Sequence, residues 1–568
     1  MRGLDGSPQD ATPSVAVESR RADVSVPAHV TESNADRPLT EREYLLLSPR
    51  GIVSHLPWLG SIAFSIVFIW RTRFAIAGET YFSLVDDAMI SMTYARNLAQ
   101  GHGLLWMAGG HHVEGYTNLL WTLWMSLVHL FPIPDSKTSL FVSISSALLL
   151  ATNVGVAGRI AETLTTDWRA GLVSRVLVAA YFPLIYWSLR GMEVGLLATI
   201  VGTLTLFALQ LEQKFDVRKR NIFAAVMAAG LLVRPDGLIP CAIGAAFVVV
   251  FSPRSERLRT AIMLLVVGVF VVAGVEVFRK TYYGDWLPNT YYLKMTGVTV
   301  WFRVSRGLSV FGDAASSYLL PPIALAVAAV WRRIDRRTLV LLTLAASYIF
   351  YSVWVGGDSW EQTGYTNRFI TSAIDPLLVL AALGALRIAD LALNPSIVGQ
   401  RPIATSLLIS CVLVWASCQS MYRTWMDRDK FDAHLDAEAV AFGYILREAT
   451  PATSTVAVAW AGAIPYFSHR LSIDLLGKND TEVAHSRPHP MATFWPGHNK
   501  WDYSHSIGEL RPDFVQALWN PTNDDFQQMS RLGYYSLKNG IWFSQAMSNR
   551  ANLDVLSRTP AEVLTNAP

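Results

Sequence analysis

The stretch TAIMLLVVGVFVVAGVEVF, residues 260–278, decides the fold: its nineteen positions hold one ionisable residue, Glu276. About 20 mainly apolar residues in a helix cross the ~30 Å hydrocarbon core of a bilayer. Comparable stretches recur on both sides. They are 236–252, 222–235, 193–211, 172–188, 138–160, 116–133 and 55–77 toward the N-terminus, and 313–331, 338–355, 368–390 and 402–420 beyond it. Of the 568 residues 52% are hydrophobic and 16% charged, and mean hydropathy is +0.30. A soluble domain carries roughly a quarter charged residues, so the composition is that of a multi-pass membrane protein. Lys and Arg (47) nearly balance Asp and Glu (44) and lie scattered between apolar segments, which excludes a nucleic-acid binder.

Basic residues set the orientation. Lys214, Arg218, Lys219 and Arg220, then Arg254, Arg257 and Arg259, then Arg332, Arg333, Arg336 and Arg337 mark three cytoplasmic loops. The alternate segments 279–312 and 356–367, and the chain after 420, then face out. With a cytoplasmic N-terminus, the twelve apolar stretches would return the C-terminus inside, so one does not span. The choice falls on 172–188, which contains Arg175 and Pro183, giving eleven crossings, with thirteen as the alternative.

Residues 1–54 are poor in large apolar residues and aperiodic, so a disordered cytoplasmic tail is expected, and no signal peptide, because no small-residue cleavage site follows the first apolar core. Residues 55–420 form the bundle, with a first outer loop over 78–116. Residues 421–568 read as an extracytoplasmic α/β domain, with an amphipathic helix at 433–448 and β runs in STVAVAWAG (454–462), RLSIDLLG (470–477) and PDFVQALW (512–519). Cys241, Cys411 and Cys418 fall in apolar stretches, which gives neither a disulfide framework nor a zinc spacing.

The first outer loop carries the strongest chemical signal. Asp86 and Asp87 open a helix on which Ile90, Tyr94 and Leu98 share a face and which Gly101 ends; it is expected to lie in the interface plane. Such a pair can simply cap the helix and favour its positive end. A carboxylate pair at a membrane surface flanked by apolar sequence is also placed where desolvation raises basicity and a lipid-borne head group arrives. Both readings stand on sequence alone, with function favoured.

A resemblance runs from about residue 80 to 505. DDAMISMTYARNLAQGHGL (86–104), VEGYTNLLWT (113–122), GMEVGLL (191–197), VRPDGL (233–238), YYGDWLPNTYYLK (282–294), VGGD (355–358) with the downstream Arg368, and AGAIPYFSHRLSIDLLGKND (461–480) together resemble the GT-C superfamily of polytopic membrane glycosyltransferases. Within it the pattern is similar to the terminal arabinofuranosyltransferases of actinobacterial cell walls, apart from the long N-terminal tail and the insert SWEQTGYTN (359–367). The resemblance implies a GT-C-like bundle in the bacterial plasma membrane with its active site on the outer face. It implies a polyprenyl-phosphate sugar as donor, decaprenyl-phosphate arabinose first, a cell-envelope glycan as acceptor, and catalytic carboxylates at Asp86 and Asp87.

Such a reaction needs cations for the departing phosphate and polar groups for the sugar. Lys294, Arg368 and Arg234 are the phosphate candidates; lipid anchoring is the competing role for each. Asp358, Glu114, Asn118, Asn289 and Tyr291 are the sugar candidates, with loop solvation as the alternative. His102, His111 and His112 lack the rest of a tetrahedral metal set, whereas Asp86 and Asp87 are a candidate site for a divalent cation with the donor phosphate. In the C-terminal domain Asp474, Asn479, Asp480, His498 and Lys500 lie in loops, and Trp495, Trp501 and Trp519 are able to stack on sugars, so the domain is read as positioning the acceptor. The competing functions are transfer of another polyprenyl-phosphate sugar to polysaccharide, lipid or protein, and lipid or solute transport, which calls for broken helices near the midplane in matching halves.

Overall fold

The computed structural model describes residues 49–331, 334–363, 366–392, 402–427, 433–490 and 493–565. The expected tail lies outside them up to residue 48, but 49–54 belong to the first helix, α1 (Pro49–Arg71). A short hairpin, β1 (Phe74–Ile76) and β2 (Glu79–Tyr81), leads to α2 (Asp86–Ala99) and α3 (Leu119–His129). Then come α4 (Asp135–Leu164), α5 (Trp168–Ala179), α6 (Phe182–Leu189), α7 (Val194–Gln213), α8 (Val217–Val233), α9 (Leu238–Phe251), α10 (Arg254–Tyr283) and the short α11 (Asn289–Met295). The helical part closes with α12 (Val300–Ala314), α13 (Leu320–Val330), α14 (Arg336–Val355), α15 (Arg368–Thr371), α16 (Ile374–Ala392) and α17 (Pro402–Met426).

Seven of the described helical stretches are long and apolar enough to cross a membrane, and the pair α5 and α6, bent by 49°, makes an eighth. Contacts at the helix ends fall into two sets. Glu162 with Arg175, Gln213 with Thr163, Arg169 with Asp390, Glu212 with Arg337, and Arg220 with Glu256 gather at one end of the bundle. Arg71 with Trp425, Val85 with Arg190, Asn118 with Glu193, and Arg306 with Asp358 gather at the other. Tracing the chain between these two sets, α1, α4, α5–α6, α7, α8, α9, α10, α12–α13, α14, α16 and α17 make eleven passages.

The stretch that does not cross differs from the expected one. Residues 172–188 traverse as α5–α6, with the break at Pro183 producing the bend. The helix that fails to cross is α3 in 116–133: its first residues adjoin the Asn118–Glu193 contact, and at its last, His129 Nε2 lies 3.0 Å from the Tyr466 hydroxyl, both at the same end. Its eleven residues are too few to span, and the exposed Leu123, Trp124 and Leu127 cover apolar surface sideways. The described basic residues of all three predicted cytoplasmic loops lie at the end away from this face; Arg332 and Arg333 fall outside the described residues.

The C-terminal part caps that face. Helix α18 (Ala433–Ala449) precedes β3 (Thr455–Val458), α19 (Ala463–Ser468), β4 (Leu471–Asp474) and α20 (Thr481–His485). After them come β5 (Phe514–Val515), α21 (Asn523–Arg531), β6 (Tyr534–Ser536) and β7 (Trp542–Ser544). The five strands run in the order β4-β3-β5-β7-β6, with β3 parallel to β4 and β5 and the remainder antiparallel. After α22 (Leu553–Leu556) and α23 (Pro560–Val563), the last strand β8 (Leu564–Thr565) pairs with β1, completing a three-stranded sheet just beyond the first crossing. One hydrophobic core runs from Phe68 and Trp187 in the bundle through Ile90 and Tyr94 of α2 to Tyr466 and Phe514. Helix α2 is thus buried beneath the cap, with ten of its fourteen residues inaccessible, rather than floating in an interface plane.

Candidate active site

Asp86 and Asp87 are the first two residues of α2, and neither caps it; the N-cap is Val85, whose N–H donates to the Arg190 carbonyl at 3.0 Å. The carboxylates turn to other parts of the chain. Asp86 Oδ1 accepts from the backbone N–H groups of Gly462 (3.2 Å) and Ala463 (2.9 Å) at the start of α19. A Cβ on Gly462 would stand 1.9 Å from the Asp86 carbonyl oxygen, so only glycine allows this approach. Asp86 Oδ2 is buried with no hydrogen-bond partner among the described residues. Burial lifts the Asp86 carboxyl to about 6, assisted by its neighbour Asp87 and opposed by Lys478 and the two N–H donors.

Asp87 is held on both oxygens. Oδ1 accepts from Lys478 Nζ at 2.8 Å, and Oδ2 from Arg368 Nη1 at 3.0 Å and Trp360 Nε1 at 3.2 Å. Burial works to raise its pKa, but the charges of Lys478, Arg368 and Lys294 outweigh it and keep the carboxyl well below the usual range. Two adjacent carboxylates in one helical turn are therefore driven apart, Asp86 upward by burial and Asp87 downward by its cationic neighbours. Three of their four oxygens accept from N–H groups, and Asp86 Oδ2 is the one with no hydrogen-bond partner among the described residues.

Four basic side chains surround the pair. Arg368 Nε also meets Asp358 Oδ2 at 3.0 Å, and its guanidinium lies 5.9 Å from the centroid of the Trp187 ring. Arg234 is neutralised by Glu193 and, at 2.7 Å, by Asp236. Lys478 belongs to Asp87. Lys294 has no hydrogen-bond or ion-pair partner among the described residues, and burial beside Arg368 lowers its pKa to about 8. It stands in the shared wall of two cavities. The smaller, about 60 Å³, is lined by Asp87, Asn118, Glu193, Arg234, Lys294, Arg368 and Lys478. The larger, about 290 Å³, is lined by Arg234, Tyr291, Lys294, Asp358 and Phe369 and reaches Tyr351 and Trp354. Those two aromatics also border an apolar groove between α9 and α14 walled by Ile239, Ala346 and Phe350.

The structure thus brings Asp86, Asp87, Lys294, Arg368, Arg234, Asp358, Asn118 and Tyr291 to one place. Two sugar candidates are elsewhere. Glu114 is buried against Arg279, and Asn289 donates to the carbonyls of Gly477 (2.9 Å) and Lys478 (3.1 Å), clamping the loop that delivers Lys478. Asn118 accepts from Ser91 and donates to Glu193 (both 2.9 Å), and Asp358 is spent on Arg368, so both orient neighbours. His102, His111 and His112 are exposed. Among the described residues Glu482, His505 and Glu509 lie close enough together to share a metal ion, in the cap. Asp474 fixes the loop through Asn479 N at 2.8 Å, Asp480 caps α20, and Lys500 is buried on backbone carbonyls.

Sequence reasoning missed Lys478, Glu193 and Trp360. Lys478 sits in SIDLLGKND between residues that were singled out, but a single lysine in a loop of the C-terminal domain carries no signal of its own. Its place is set by Gly115 of VEGYTN, where a Cβ would meet Asn479 Oδ1 at 1.9 Å and the Lys478 carbonyl at 2.9 Å. Glu193 lies inside GMEVGLL, and a carboxylate opening an apolar helix was the available signal.

Comparison with known proteins agrees with this architecture. A family described as "Domain of unknown function (DUF8728)" matches residues 429–549, within the cap. The chain is similar to terminal β-(1→2)-arabinofuranosyltransferases of Mycobacterium tuberculosis (23% identity over 291 residues, 48% of this chain and 43% of that protein) and of Corynebacterium glutamicum (25% over 320 residues, 50% and 46%). It spans less than half the length of these curated relatives. Among solved structures it is similar to ArnT from Cupriavidus metallidurans. Bound to undecaprenyl phosphate, ArnT matches with TM-score 0.52 and 13% identity over 91% of this chain and all of that one; in the apo state it matches with TM-score 0.50 and 13% identity over 88% and 98%. The chain is a polytopic membrane protein with the GT-C fold and a C-terminal domain containing β-sheet.

Proposed function

We propose that the protein is a membrane glycosyltransferase that moves a sugar, arabinofuranose as first choice, from a polyprenyl-phosphate donor to a cell-envelope glycan. The observation that carries this reading is a cavity walled by Asp87, Lys294, Arg234, Arg368 and Lys478, with the adjacent Asp86 carrying a buried carboxylate oxygen that has no hydrogen-bond partner among the described residues. In the reaction the acceptor hydroxyl oxygen forms a bond to the anomeric carbon. The anomeric carbon–oxygen bond to phosphate breaks, and its electron pair leaves on the phosphate, which gains a negative charge. The hydroxyl proton passes to Asp86 Oδ2, whose carboxyl at about 6 suits a base. Lys294, which makes no hydrogen bond or ion pair among the described residues, meets the growing phosphate charge, while Asp87 holds Lys478 and Arg368 in place. The apolar groove of Ile239, Ala346 and Phe350 accommodates the polyprenyl tail.

The reading places the capped face outside the plasma membrane, in keeping with basic residues at the opposite end. Cysteines introduced at Asp285 and Asp524 are expected to react with impermeant thiol reagents on intact cells, and one at Arg218 is not; labelling of Arg218 alone would reverse the orientation. The decisive test supplies purified protein in detergent with a panel of radiolabelled polyprenyl-phosphate sugars. Consumption of the arabinofuranosyl donor supports the full reading, consumption of another sugar replaces arabinofuranose, and consumption of none overturns transfer.

A further inference from the structure

Beside Asp86, on the side of the cap, lies a group of aromatic side chains. Trp460 is two residues before Gly462, whose N–H holds Asp86. The Trp495 ring stacks on His498 with centroids 4.6 Å apart and planes at 22°. Trp519 meets Trp495 at 5.1 Å and Trp460 at 5.7 Å, the latter edge-on at 87°. None of the three indoles is fully buried, although large aromatics in a small domain ordinarily fill its core. Trp501 is 8% exposed and stacked on His489 inside the core, whereas Trp460 and Trp519 pack at its edge and stay partly exposed.

Two of the rings are fixed by hydrogen bonds from their indole N–H groups. Trp495 Nε1 donates to the Ser359 carbonyl at 2.9 Å, next to Asp358, and Trp519 Nε1 donates to the His498 carbonyl at 3.1 Å. Pro496 lines the larger cavity, and a Cβ on Gly497 would lie 3.2 Å from Lys294 Cε. The group is therefore continuous with the site. His498 is buried; its Nδ1 lies 3.1 Å from the Pro496 carbonyl, and its Nε2 has no hydrogen-bond partner among the described residues. Burial and the nearby Lys478 push its pKa down to about 3, so the ring is neutral at physiological pH.

The site thus has two halves of different chemistry. The Lys294 half is charged and leads to an apolar groove; the tryptophan half is neutral and aromatic. A neutral sugar ring, with its C–H face against an indole and its hydroxyls free to bond, fits it. We propose that Trp460, Trp495 and Trp519 with His498 form the acceptor subsite, which holds the terminal neutral sugar ring of the glycan so that its hydroxyl reaches Asp86. This rests on the transfer reading above, but binding is measurable without turnover.

The experiment presents detergent-solubilised protein with neutral oligosaccharides of arabinofuranose, galactofuranose and mannose, and reads saturation transfer from aromatic protons to sugar protons. At least one series is expected to bind, and Asp86→Asn is expected to bind it as wild type does. Trp460→Ala and Trp519→Ala are each expected to weaken binding roughly two- to tenfold, as loss of one aromatic contact implies. In turnover the acceptor KM should rise by that factor while the donor KM does not. Trp542→Phe, in β7 and stacked on Phe526, controls for general damage to the cap. Equal affinity in wild type and both alanine variants, or equal rises in acceptor and donor KM, would overturn the subsite. Glycan binding that depends on Trp460 with no donor consumed would retain the subsite and remove the transferase.

Discussion

The two ends of the bundle carry similar numbers of arginines put to different uses. At the end away from the cap, Arg175 pairs with Glu162 and Arg169 with Asp167 and Asp390, and these partners are 31% to 44% exposed. Water shares such pairs, and they tether helix ends for about 0–1 kcal/mol each. At the capped end Arg368, Asp358 and Glu193 are nearly inaccessible, and Lys294 makes no ion-pair contact among the described residues, because the carboxylates nearest in charge, Asp87 and Asp358, are held by Lys478 and Arg368. Placing a cation there without a partner costs stability, and folding tolerates this where an anion is to be received. Charge that is answered within the protein is structural; charge left unanswered is directed at a ligand.

The largest effect that sharpens this contrast is expected from the carboxylates. Asp86→Asn should abolish transfer with the melting temperature unchanged, because its Oδ2 has no partner to lose, whereas Asp87→Asn should abolish transfer and also destabilise by leaving Lys478 and Arg368 less compensated. Turnover near wild type in both would remove the site. Next comes the phosphate side: Lys294→Met should lower the rate at saturating donor roughly 30- to 1,000-fold, the ~2–4 kcal/mol of a contact to a developing anion, without loss of thermal stability. Arg368→Ala should lose both rate and stability, since it strands Asp87 and Asp358.

The pH dependence is smaller and has a definite sign. Asp86 must be ionised, so kcat/KM should fall below about 6. Lys294 must be protonated to receive an anion, so it should also fall above about 8, and Lys294→Arg should remove the alkaline limb. A profile flat from 5 to 9 contradicts both assignments (limits chosen about one unit outside each pKa). At the far end, Glu162→Gln is expected to change stability by at most ~1 kcal/mol and leave kcat unaltered; a large loss of rate there would erase the distinction between the ends. Smallest of all is the response to a chelator: with three of four carboxylate oxygens taken, EDTA should leave turnover unchanged, and activity restored by added Mg²⁺ would return a cation to the mechanism.

The helices and the first-loop carboxylates were legible because both are local. Apolar length marks a crossing, and Gly101, at φ +82°, ends α2 where the pattern indicated. Runs such as RLSIDLLG appear as β4 for the same reason. What hydropathy does not contain is where the second end of a helix arrives, so α3 and the bent α5–α6 exchanged roles. Lys478 was hidden differently: its partner is 391 positions away, and only the tertiary approach at Gly115 brings them together. Glu114 drew notice as a carboxylate in an outer loop, yet Arg279 far along the chain had already claimed it.

The pairing of β8 with β1 has a consequence in time. Ribosomes add roughly 5–20 residues each second. Between synthesis of Asp87 and arrival of Lys478, 391 residues later, ~20–80 s elapse. Throughout that interval the nascent protein has its carboxylates in place but neither the Gly462 loop nor the lysine that sets them apart, and closure of the small sheet waits for Thr565. The carboxylate pair therefore gains its full set of partners last, on a chain whose membrane part is already complete, so an aborted or clipped chain is inserted with the pair incomplete.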